Sequence, residues 1–286
     1  MSITVVIPTY NRAHLLLETV PSYLQEGVER IILVDDCSSD GTQSVSNLLS
    51  SRYPGKILYI RNDKNCKQTY SKNKGKSLAK TQFVYFGDDD SILVPGSMVA
   101  LMNVQRVTDA DIVGAVALYC SRDVDVSSRY EEYLREVEIK EADSFVDLRR
   151  LRFRFDRKPP TYIALPTLHS SMLVSRKFYK SINFDLRYGG NCYREETDYV
   201  LQAVAAGAKT YLAAEAVQIN LPPQLATGGA RSVGRVKYEI YSLINTYKLL
   251  RKHKKYFRCV HEVNITIPLF WYISDRLIAA LKKAVG

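Results

Sequence analysis

The stretch from residue 82 to 95 constrains this chain more than any other. Residues 83–86 form an apolar, aromatic run of the length of a buried strand, and a glycine and three aspartates follow it at once. A strand that ends in Asp88, Asp89 and Asp90 places negative charge at the edge where open α/β sheets bind ligands. Clustered carboxylates repel one another unless a cation lies between them, and Mg²⁺ and Mn²⁺ take oxygen ligands together with phosphate. We therefore expect a divalent-metal site that serves a phosphate-bearing substrate.

A simpler explanation of these acids is an N-cap for a helix that starts near Pro95. Aspartate is common at that position because its carboxylate accepts hydrogen bonds from the first backbone N–H groups of a helix. One aspartate would need no other explanation. Three in succession, directly after an aromatic strand, favour a ligand site.

Strands and helices alternate along the chain, which predicts an α/β fold with a mixed, mostly parallel sheet flanked by helices. Apolar, β-branched runs mark the strands, and apolar residues at helical spacing lie between them. Pro21 falls inside the first helical pattern and is expected to kink or break that helix. The predicted strands cover residues 3–7, 30–34, 56–60, 83–86, 111–119, 169–174, 209–212 and 216–220.

A second carboxylate pair, Asp35 and Asp36, follows the predicted strand over residues 30–34. In a parallel sheet this pair lies at the same edge as the aspartate triplet. The sequence contains neither the GxGxxG dinucleotide fingerprint nor the GxxxxGK[ST] phosphate loop. A dehydrogenase or a P-loop enzyme is therefore disfavoured.

The five cysteines are scattered, odd in number and never spaced as C-x-x-C. This pattern argues against a disulfide framework or a zinc site and suits a reducing compartment. Residues 2–8 lack the basic and long apolar regions of a signal peptide and predict a strand instead. We expect a cytoplasmic protein.

Positive charge is concentrated in the C-terminal part of the chain. The net charge is +10, and residues 230–286 carry 12 basic and 3 acidic side chains. A neutral body with a basic tail is not the pattern of a nucleic-acid-binding protein, so we expect no nucleic-acid partner. We divide the chain into an α/β domain over residues 1–229 and a basic, amphipathic helical extension over residues 230–286. The apolar stretch 265–273 is too short to span a bilayer, so the extension either contacts a membrane peripherally or packs on protein.

Three ordered blocks resemble glycosyltransferase family 2 on the Rossmann-like GT-A fold. They are IPTYNR at residues 7–12, VDDCSSDGT at 34–42, and NKG at 73–75 ahead of FGDDD at 86–90. The resemblance covers roughly residues 2–225. It implies inverting, metal-dependent transfer of a sugar from a UDP- or GDP-sugar to the hydroxyl of a glycan, polysaccharide or lipid-linked acceptor.

In that family the turn after the first strand and the acids after the second strand bind the nucleotide. Tyr10 could stack on a base or be a core aromatic, and Asp36 could accept from a base N–H. Lys72 could serve phosphate as a point charge or lie on a solvated helix face. The resemblance implies donor-binding roles for Pro8, Thr9, Tyr10, Arg12, Asp36, Lys72, Asp88 and Asp89.

The aspartate triplet matches the DxD motif of the family. The resemblance implies that Asp90 is the main ligand of Mn²⁺ or Mg²⁺, that Asp88 assists it, and that Asp89 faces the ribose or sugar. The metal would stabilise the charge on the departing nucleoside diphosphate.

A second acidic block, at residues 195–198, opens a predicted helix. These acids could simply complement the helix dipole. In the family an acid here is the catalytic base, which implies that Glu196 deprotonates the acceptor hydroxyl, with Asp198 as the alternative and Glu195 as a further candidate.

Several other features leave alternatives open. Asn220 stands near a position where the family often has a histidine metal ligand, which puts such a ligand in doubt. Residues 228–231 resemble a glycine-rich basic loop that closes over the diphosphate. His169 could line the acceptor site or be a structural histidine.

Two other functions compete with glycosyl transfer. A sugar-nucleotide nucleotidyltransferase typically has a glycine-rich loop after its first strand, and residues 8–12 contain no glycine. A non-catalytic nucleotide-sugar or membrane-binding module would not need the acids at 88–90 and 195–196. Both alternatives are therefore disfavoured.

Overall fold

The first strand is buried along almost its whole length, because helices cover both faces of the sheet that contains it. The computed structural model describes residues 1–121, 124–229 and 234–285, with side chains up to residue 278. The strands are β1 (Ile3–Thr9), β2 (Val28–Asp35), β3 (Ile57–Arg61), β4 (Phe83–Phe86), β5 (Ser91–Leu93), β6 (Ile112–Tyr119), β7 (Val146–Asp147), β8 (Arg152–Phe153), β9 (Tyr162–Ala164), β10 (Met172–Ser175) and β11 (Thr210–Asn220).

Helices connect most of these strands and continue beyond the last one. They are α1 (Ala13–Ser22), α2 (Thr42–Arg52), α3 (Lys67–Leu78), α4 (Ser97–Thr108), α5 (Val126–Arg135), α6 (Arg176–Ser181), α7 (Glu195–Ala205), α8 (Arg235–Lys252), α9 (Lys254–His261) and α10 (Thr266–Val285).

The main sheet has the strand order β3-β2-β1-β4-β10-β6-β11-β5, and β9 pairs with β11. The half made of β3, β2, β1 and β4 is parallel throughout, and β6 is parallel to β11. Strand β10 is antiparallel to both of its neighbours. The predicted mixed α/β sheet is therefore confirmed, and the carboxyl ends of β1, β2, β4 and β6 meet at one edge.

A glycine allows α3 to approach the sheet closely. A Cβ atom on Gly75 would lie 2.4 Å from Cγ1 of Val6 and 3.1 Å from Cγ2 of Val34. No side chain fits at that distance, so this glycine sets the height of α3 above β1 and β2.

The structure changes some of the predicted boundaries. The two strands predicted over 209–212 and 216–220 form the single strand β11, with a register irregularity between Ala213 and Val217. The strand predicted from residue 169 begins only at Met172, so His169 lies in the loop before it. Pro21 is in the last turn of α1, where it ends the helix instead of kinking it.

The C-terminal helices share the core on one face of the sheet. Leu249 and Leu250 of α8, Phe257 of α9 and Tyr272 of α10 are buried in the same cluster as Phe86 of β4. The division of the chain at residue 229 stays a prediction. Among the helices that the structure describes, none is long and apolar enough to cross a bilayer.

Candidate functional site

A cleft of about 200 Å³ opens at the carboxyl edge of the parallel strands. Of the residues predicted to bind donor or metal, those in the cleft wall are Pro8, Thr9, Tyr10, Arg12, Asp36, Asp88, Asp89 and Asp90. Gly229 of the predicted glycine-rich loop is also in the wall, and the wall residues that the sequence did not predict are Asn65, Lys67, Gln68, Gly190, Asn191, Cys192 and Tyr238. The parallel β-sheet thus brings together the blocks after β1, β2 and β4, as the shared edge predicts.

Arg12 forms ion pairs with two acids of the triplet. Its side chain is buried, with Nη1 3.1 Å from Oδ2 of Asp90 and 3.7 Å from Oδ1 of Asp89. Nη2 donates to the carbonyl of Gly228, 3.4 Å away, which ties the loop after β11 to the cleft. Burial raises the pKa of Asp89 to about 7, against the opposing charge of Arg12 and with a further contribution from Asp90. An additional cation would relieve the repulsion between these carboxylates.

The donor atoms of the triplet suit a divalent ion that shares its coordination with phosphate. Within the described residues, no three His, Cys, Asp or Glu side chains form a complete metal-ligand set. Mg²⁺ and Mn²⁺ do not need one, because they commonly bind through one or two carboxylates plus substrate phosphates and water. Asp88 and Asp90 provide hard oxygen atoms in the cleft wall and so fit that role.

Asp88 is oriented by groups from three different elements. The hydroxyl of Tyr23 donates to the Asp88 carbonyl at 2.9 Å. Ser170 Oγ and Gln218 Nε2 donate to Oδ2 of its carboxylate, at 2.8 and 3.3 Å. A Cβ atom on the preceding Gly87 would lie 2.8 Å from the Tyr23 ring, so only glycine allows this contact.

The carboxylate of Asp36 organises a loop of the cleft wall. Oδ1 accepts from Asn62 Nδ2 and the Cys66 N–H, both at 2.8 Å, and Oδ2 accepts from the Lys67 N–H at 2.7 Å. The nearby Oδ1 of Asn65 is buried with no hydrogen-bond partner in the described part of the chain. Direct contact between Asp36 and a base remains a prediction, whereas Asn65 offers an unused acceptor in the same wall.

Lys72 and Glu195 form a fully buried ion pair, with Nζ 2.6 Å from Oε1. Gln68 Nε2 also donates to that oxygen, at 3.1 Å. Burial raises the pKa of Glu195 to about 7, against the opposing charge of Lys72. The structure therefore directs Lys72 toward α7, away from the cleft surface where a phosphate ligand would be needed.

Asp198 is also fully buried, and three side chains contact its carboxylate. Its carboxylate lies 2.7 Å from Nε2 of His253 and accepts from Lys252 Nζ at 2.8 Å and Gln202 Nε2 at 2.9 Å. These contacts join α7 to the end of α8. They leave Asp198 poorly placed to reach an acceptor hydroxyl.

Glu196 differs from both neighbouring acids. It is partly exposed in the first turn of α7, and no hydrogen bond or ion pair occupies its carboxylate among the described residues. Its negative charge and that of Asp88 both contribute, after burial, to raising the pKa of the Tyr119 phenol. Glu196 follows Cys192, which lies in the cleft wall, by four residues.

Helix α8 contributes Tyr238 to the cleft wall. Asn191 Nδ2 donates to the Tyr238 carbonyl at 3.1 Å and to Ser242 Oγ at 2.7 Å. A Cβ atom on Gly190 would lie 2.2 Å from the Tyr241 ring, so α8 packs directly on this loop. Of the predicted glycine-rich loop, Gly228 and Gly229 lie against Arg12, and residues 230 and 231 fall outside the described ranges.

Asn220 is used within the sheet. Its Nδ2 donates to the Leu118 carbonyl at 2.9 Å, and its Oδ1 accepts from Ser91 Oγ at 3.0 Å. Both ends of the amide are therefore engaged by structural contacts.

Curated sequence relatives match the N-terminal part of this chain. A GalNAc(5)-diNAcBac-PP-undecaprenol β-1,3-glucosyltransferase of Campylobacter jejuni is 35% identical over 116 residues, which are 39% of this chain and 37% of that protein. The Staphylococcus aureus poly(ribitol-phosphate) β-N-acetylglucosaminyltransferase TarP is 24% identical over 116 residues, 39% of this chain and 35% of that protein. The chain thus spans little more than a third of the length of these relatives.

Solved structures share the fold at low sequence identity. The S. aureus TarS fragment 1–349 in complex with UDP-GlcNAc has a TM-score of 0.59 at 16% identity, covering 87% of this chain and 67% of that one. The mannosyltransferase PcManGT of Pyrobaculum calidifontis, in complex with GDP-Man and Mn²⁺, has a TM-score of 0.64 at 15% identity, covering 99% and 75%. These likenesses confirm the GT-A fold.

The family model described as glycosyl transferase family 2 matches residues 4–182, well over half of the chain. The matched range contains β1, the acids after β2 and the aspartate triplet after β4. The chain belongs to glycosyl transferase family 2.

Proposed function

We propose that this protein transfers a sugar from a nucleoside diphosphate sugar to an acceptor hydroxyl, with inversion at the anomeric carbon. The observation that carries the proposal is an acid-lined cleft at the parallel sheet edge, together with a partly exposed Glu196 that follows the cleft residue Cys192 by four positions. The cleft suits the nucleoside diphosphate, which is the leaving group, and Glu196 suits activation of the acceptor hydroxyl.

The cleft has the groups that a nucleotide donor requires. Tyr10 lines it and offers an aromatic face for the base, and the unused Oδ1 of Asn65 suits an imide N–H such as that of uracil or guanine. TarS and PcManGT were solved with UDP-GlcNAc and GDP-Man respectively, which supports a UDP- or GDP-sugar here.

Asp90 and Asp88 would hold the divalent ion, Mn²⁺ or Mg²⁺, against the diphosphate. When bound, that ion neutralises charge on the leaving nucleoside diphosphate. The ion pairs with Arg12 keep the carboxylates of Asp90 and Asp89 in place. The complex of PcManGT with Mn²⁺ is consistent with a divalent ion in this fold.

Glu196 would act as the base. The acceptor oxygen attacks the anomeric carbon, its proton passes to the Glu196 carboxylate, and the bond from that carbon to the phosphate oxygen breaks with its electron pair going to the nucleoside diphosphate. A single displacement from the opposite face inverts the centre. Glu195 and Asp198 are left with structural roles, since buried partners occupy both.

The donor part of the proposal is tested by thermal shift with UDP-, GDP- and dTDP-sugars, with and without Mn²⁺. We expect one nucleotide class to stabilise the protein, more strongly with metal, and Asp90→Ala to abolish the metal-dependent part. A nucleotidyltransferase would instead be stabilised by a nucleoside triphosphate and release pyrophosphate. If no nucleotide-sugar raises the melting temperature under any metal condition, the proposal is wrong.

The acceptor is proposed to be a glycan or lipid-linked glycan at the cytoplasmic face of a membrane. Helix α8 exposes an apolar stripe at helical spacing, formed by Val236, Ile240, Leu243, Ile244 and Tyr247. Exposed basic residues follow it at the end of α8 and the start of α9. An apolar face beside basic side chains suits an anionic lipid surface, and the C. jejuni relative is named for an undecaprenol-linked acceptor.

Vesicle sedimentation tests this contact. Phosphatidylglycerol vesicles should bind the protein and phosphatidylcholine vesicles should bind it less. Ile240→Ser with Tyr247→Ser should weaken binding, whereas Val107→Ser, at a still more exposed apolar position on α4, should not. Equal binding by all three proteins would exclude α8 as the membrane surface.

A further inference from the structure

An exposed aromatic surface lies beside the triplet, outside the cleft wall. Tyr119 ends β6, and 54% of it is exposed. The His169 ring meets it edge-on with centroids 6.4 Å apart, and the buried Phe155 supports His169 from another side, also at 6.4 Å. An exposed tyrosine ring that other aromatic rings hold in place at the sheet edge offers a rigid surface on which a ligand can bind.

A chain of hydrogen bonds connects this surface to Asp88. The Tyr119 hydroxyl lies 3.2 Å from Nε2 of His169, Nδ1 of His169 lies 3.2 Å from Ser170 Oγ, and Ser170 Oγ donates to Asp88 at 2.8 Å. Ser170 has one proton and gives it to the carboxylate. Its oxygen can therefore accept from Nδ1–H, and Nδ1 also lies 3.4 Å from Ser171 Oγ. The chain restrains the orientation of the His169 ring and of the Tyr119 hydroxyl.

Four carboxylates act on this surface. Partial burial raises the pKa of Tyr119, and the negative charges of Asp88, Glu196, Asp156 and Asp90 add to that effect. The hydrogen bonds through His169 and Ser170 place Tyr119 beside Asp88 of the triplet. A group bound on Tyr119 would therefore lie next to the acids that line the donor cleft.

We propose that Tyr119 and His169 form the platform that binds the terminal sugar ring of the acceptor. The inference rests on the proposed glycosyl transfer and specifies its acceptor side. A sugar ring combines an apolar C–H face, which an aromatic ring can cover, with hydroxyl groups that suit the adjacent carboxylates and phenol. Tyr119 supplies the ring face, and His169 is a positioning residue that sets its orientation.

Ligand-observed NMR with methyl β-D-glucopyranoside and methyl N-acetyl-β-D-glucosaminide tests the platform directly. Saturation transfer is measured with Mg²⁺ and saturating UDP or GDP, so that the nucleotide occupies the donor cleft. We expect at least one glycoside to bind the natural protein. Tyr119→Ala should weaken that binding about tenfold, the loss that corresponds to one aromatic contact of about 1.4 kcal/mol. Tyr119→Phe and His169→Gln, which keep a ring or a polar group, should weaken it less.

Tyr162→Ala is the matched control, because Tyr162 is an exposed tyrosine on β9, remote from the carboxyl end of β6. It should bind the glycoside as the natural protein does. The nucleotide-induced thermal shift, recorded for each variant, reports folding and the donor site separately. Equal glycoside affinity for the natural protein and Tyr119→Ala, or no glycoside binding beside a normal nucleotide shift, would overturn the platform. Loss of the nucleotide shift in the natural protein would instead overturn the proposed transfer.

Discussion

The ammonium of Lys72 and the carboxylate of Glu195 lie 2.6 Å apart, and both side chains are inaccessible to solvent. The pair links α3, which begins at the Asp36-bound loop, to the first residue of α7. Although burial opposes it, the charge of Glu195 raises the pKa of Lys72, so the lysine stays protonated. Because Glu196 is the next residue, this contact sets where the proposed base stands.

Lys72→Met should lower the free energy of unfolding by about 3–5 kcal/mol, since the buried Glu195 then loses its partner and must either keep an uncompensated charge or bind a proton. Urea unfolding at neutral pH measures the loss. Lys80→Met, an exposed lysine just beyond the end of the same helix, should change stability by less than about 0.5 kcal/mol. The ion-pair account fails if the two variants are equally stable.

The lowered pKa of Lys76 predicts that the stability of the protein depends on pH. Its buried Nζ donates to the carbonyls of Tyr179 and Ile182, each at 2.7 Å, and burial together with Lys180 lowers its pKa from 10.5 to about 8. Between those values the unfolded chain holds a proton that the folded protein has released. The contribution of Lys76 to the free energy of unfolding therefore rises with pH in this window.

The comparison with Lys76→Met isolates that contribution. The stability of the natural protein relative to Lys76→Met should rise by about 1–3 kcal/mol between about pH 8 and 10.5, as urea unfolding at several pH values would show. A relative stability that stays flat or falls across the window contradicts the lowered pKa.

The contact between His253 and Asp198 predicts that the C-terminal helices stabilise the α7 region. His253→Ala leaves a buried carboxylate with one partner fewer and should cost about 1–3 kcal/mol. Amide hydrogen exchange should speed up in α7 and in the last turn of α8. Lys254→Ala, an exposed neighbour, serves as the control, and equal exchange in both variants would exclude the coupling.

Glu196→Gln should retain donor binding and lose transfer. Removal of a general base lowers kcat by about two to four orders of magnitude, whereas the nucleotide-induced thermal shift should stay. Glu215→Gln changes an exposed glutamate on β11 and should leave kcat as it is. Full activity in Glu196→Gln would remove Glu196 from the mechanism.

Much of the sheet was predictable because its signals are local. The run over residues 83–86 matches β4 at both ends, and the blocks at residues 8–12 and 88–90 do meet in one cleft. Where a short apolar strand is followed by turn residues and acids, the local sequence is enough to locate the end of the strand. Their shared direction then places the blocks at one edge.

The contacts that separate the three acids of α7 were not predictable, because their partners lie far away in sequence. Glu195 is paired with a residue 123 positions earlier, and Asp198 with one 55 positions later. The local sequence pattern shows acids at the start of a helix, but it does not show which of them is buried. Tyr238 of the cleft wall was missed for the same reason, since only tertiary packing brings α8 to the loop at Gly190.

A single displacement in the cleft sets the stereochemistry of the sugar that leaves the nucleoside diphosphate. Real-time ¹H NMR of the stabilising UDP- or GDP-sugar, with Mg²⁺, the protein and water in place of the acceptor, measures the anomeric configuration of the released sugar. We expect release of the nucleoside diphosphate and a first-formed free sugar whose anomeric configuration is opposite to that of the donor. A first-formed sugar of retained configuration would exclude the single displacement.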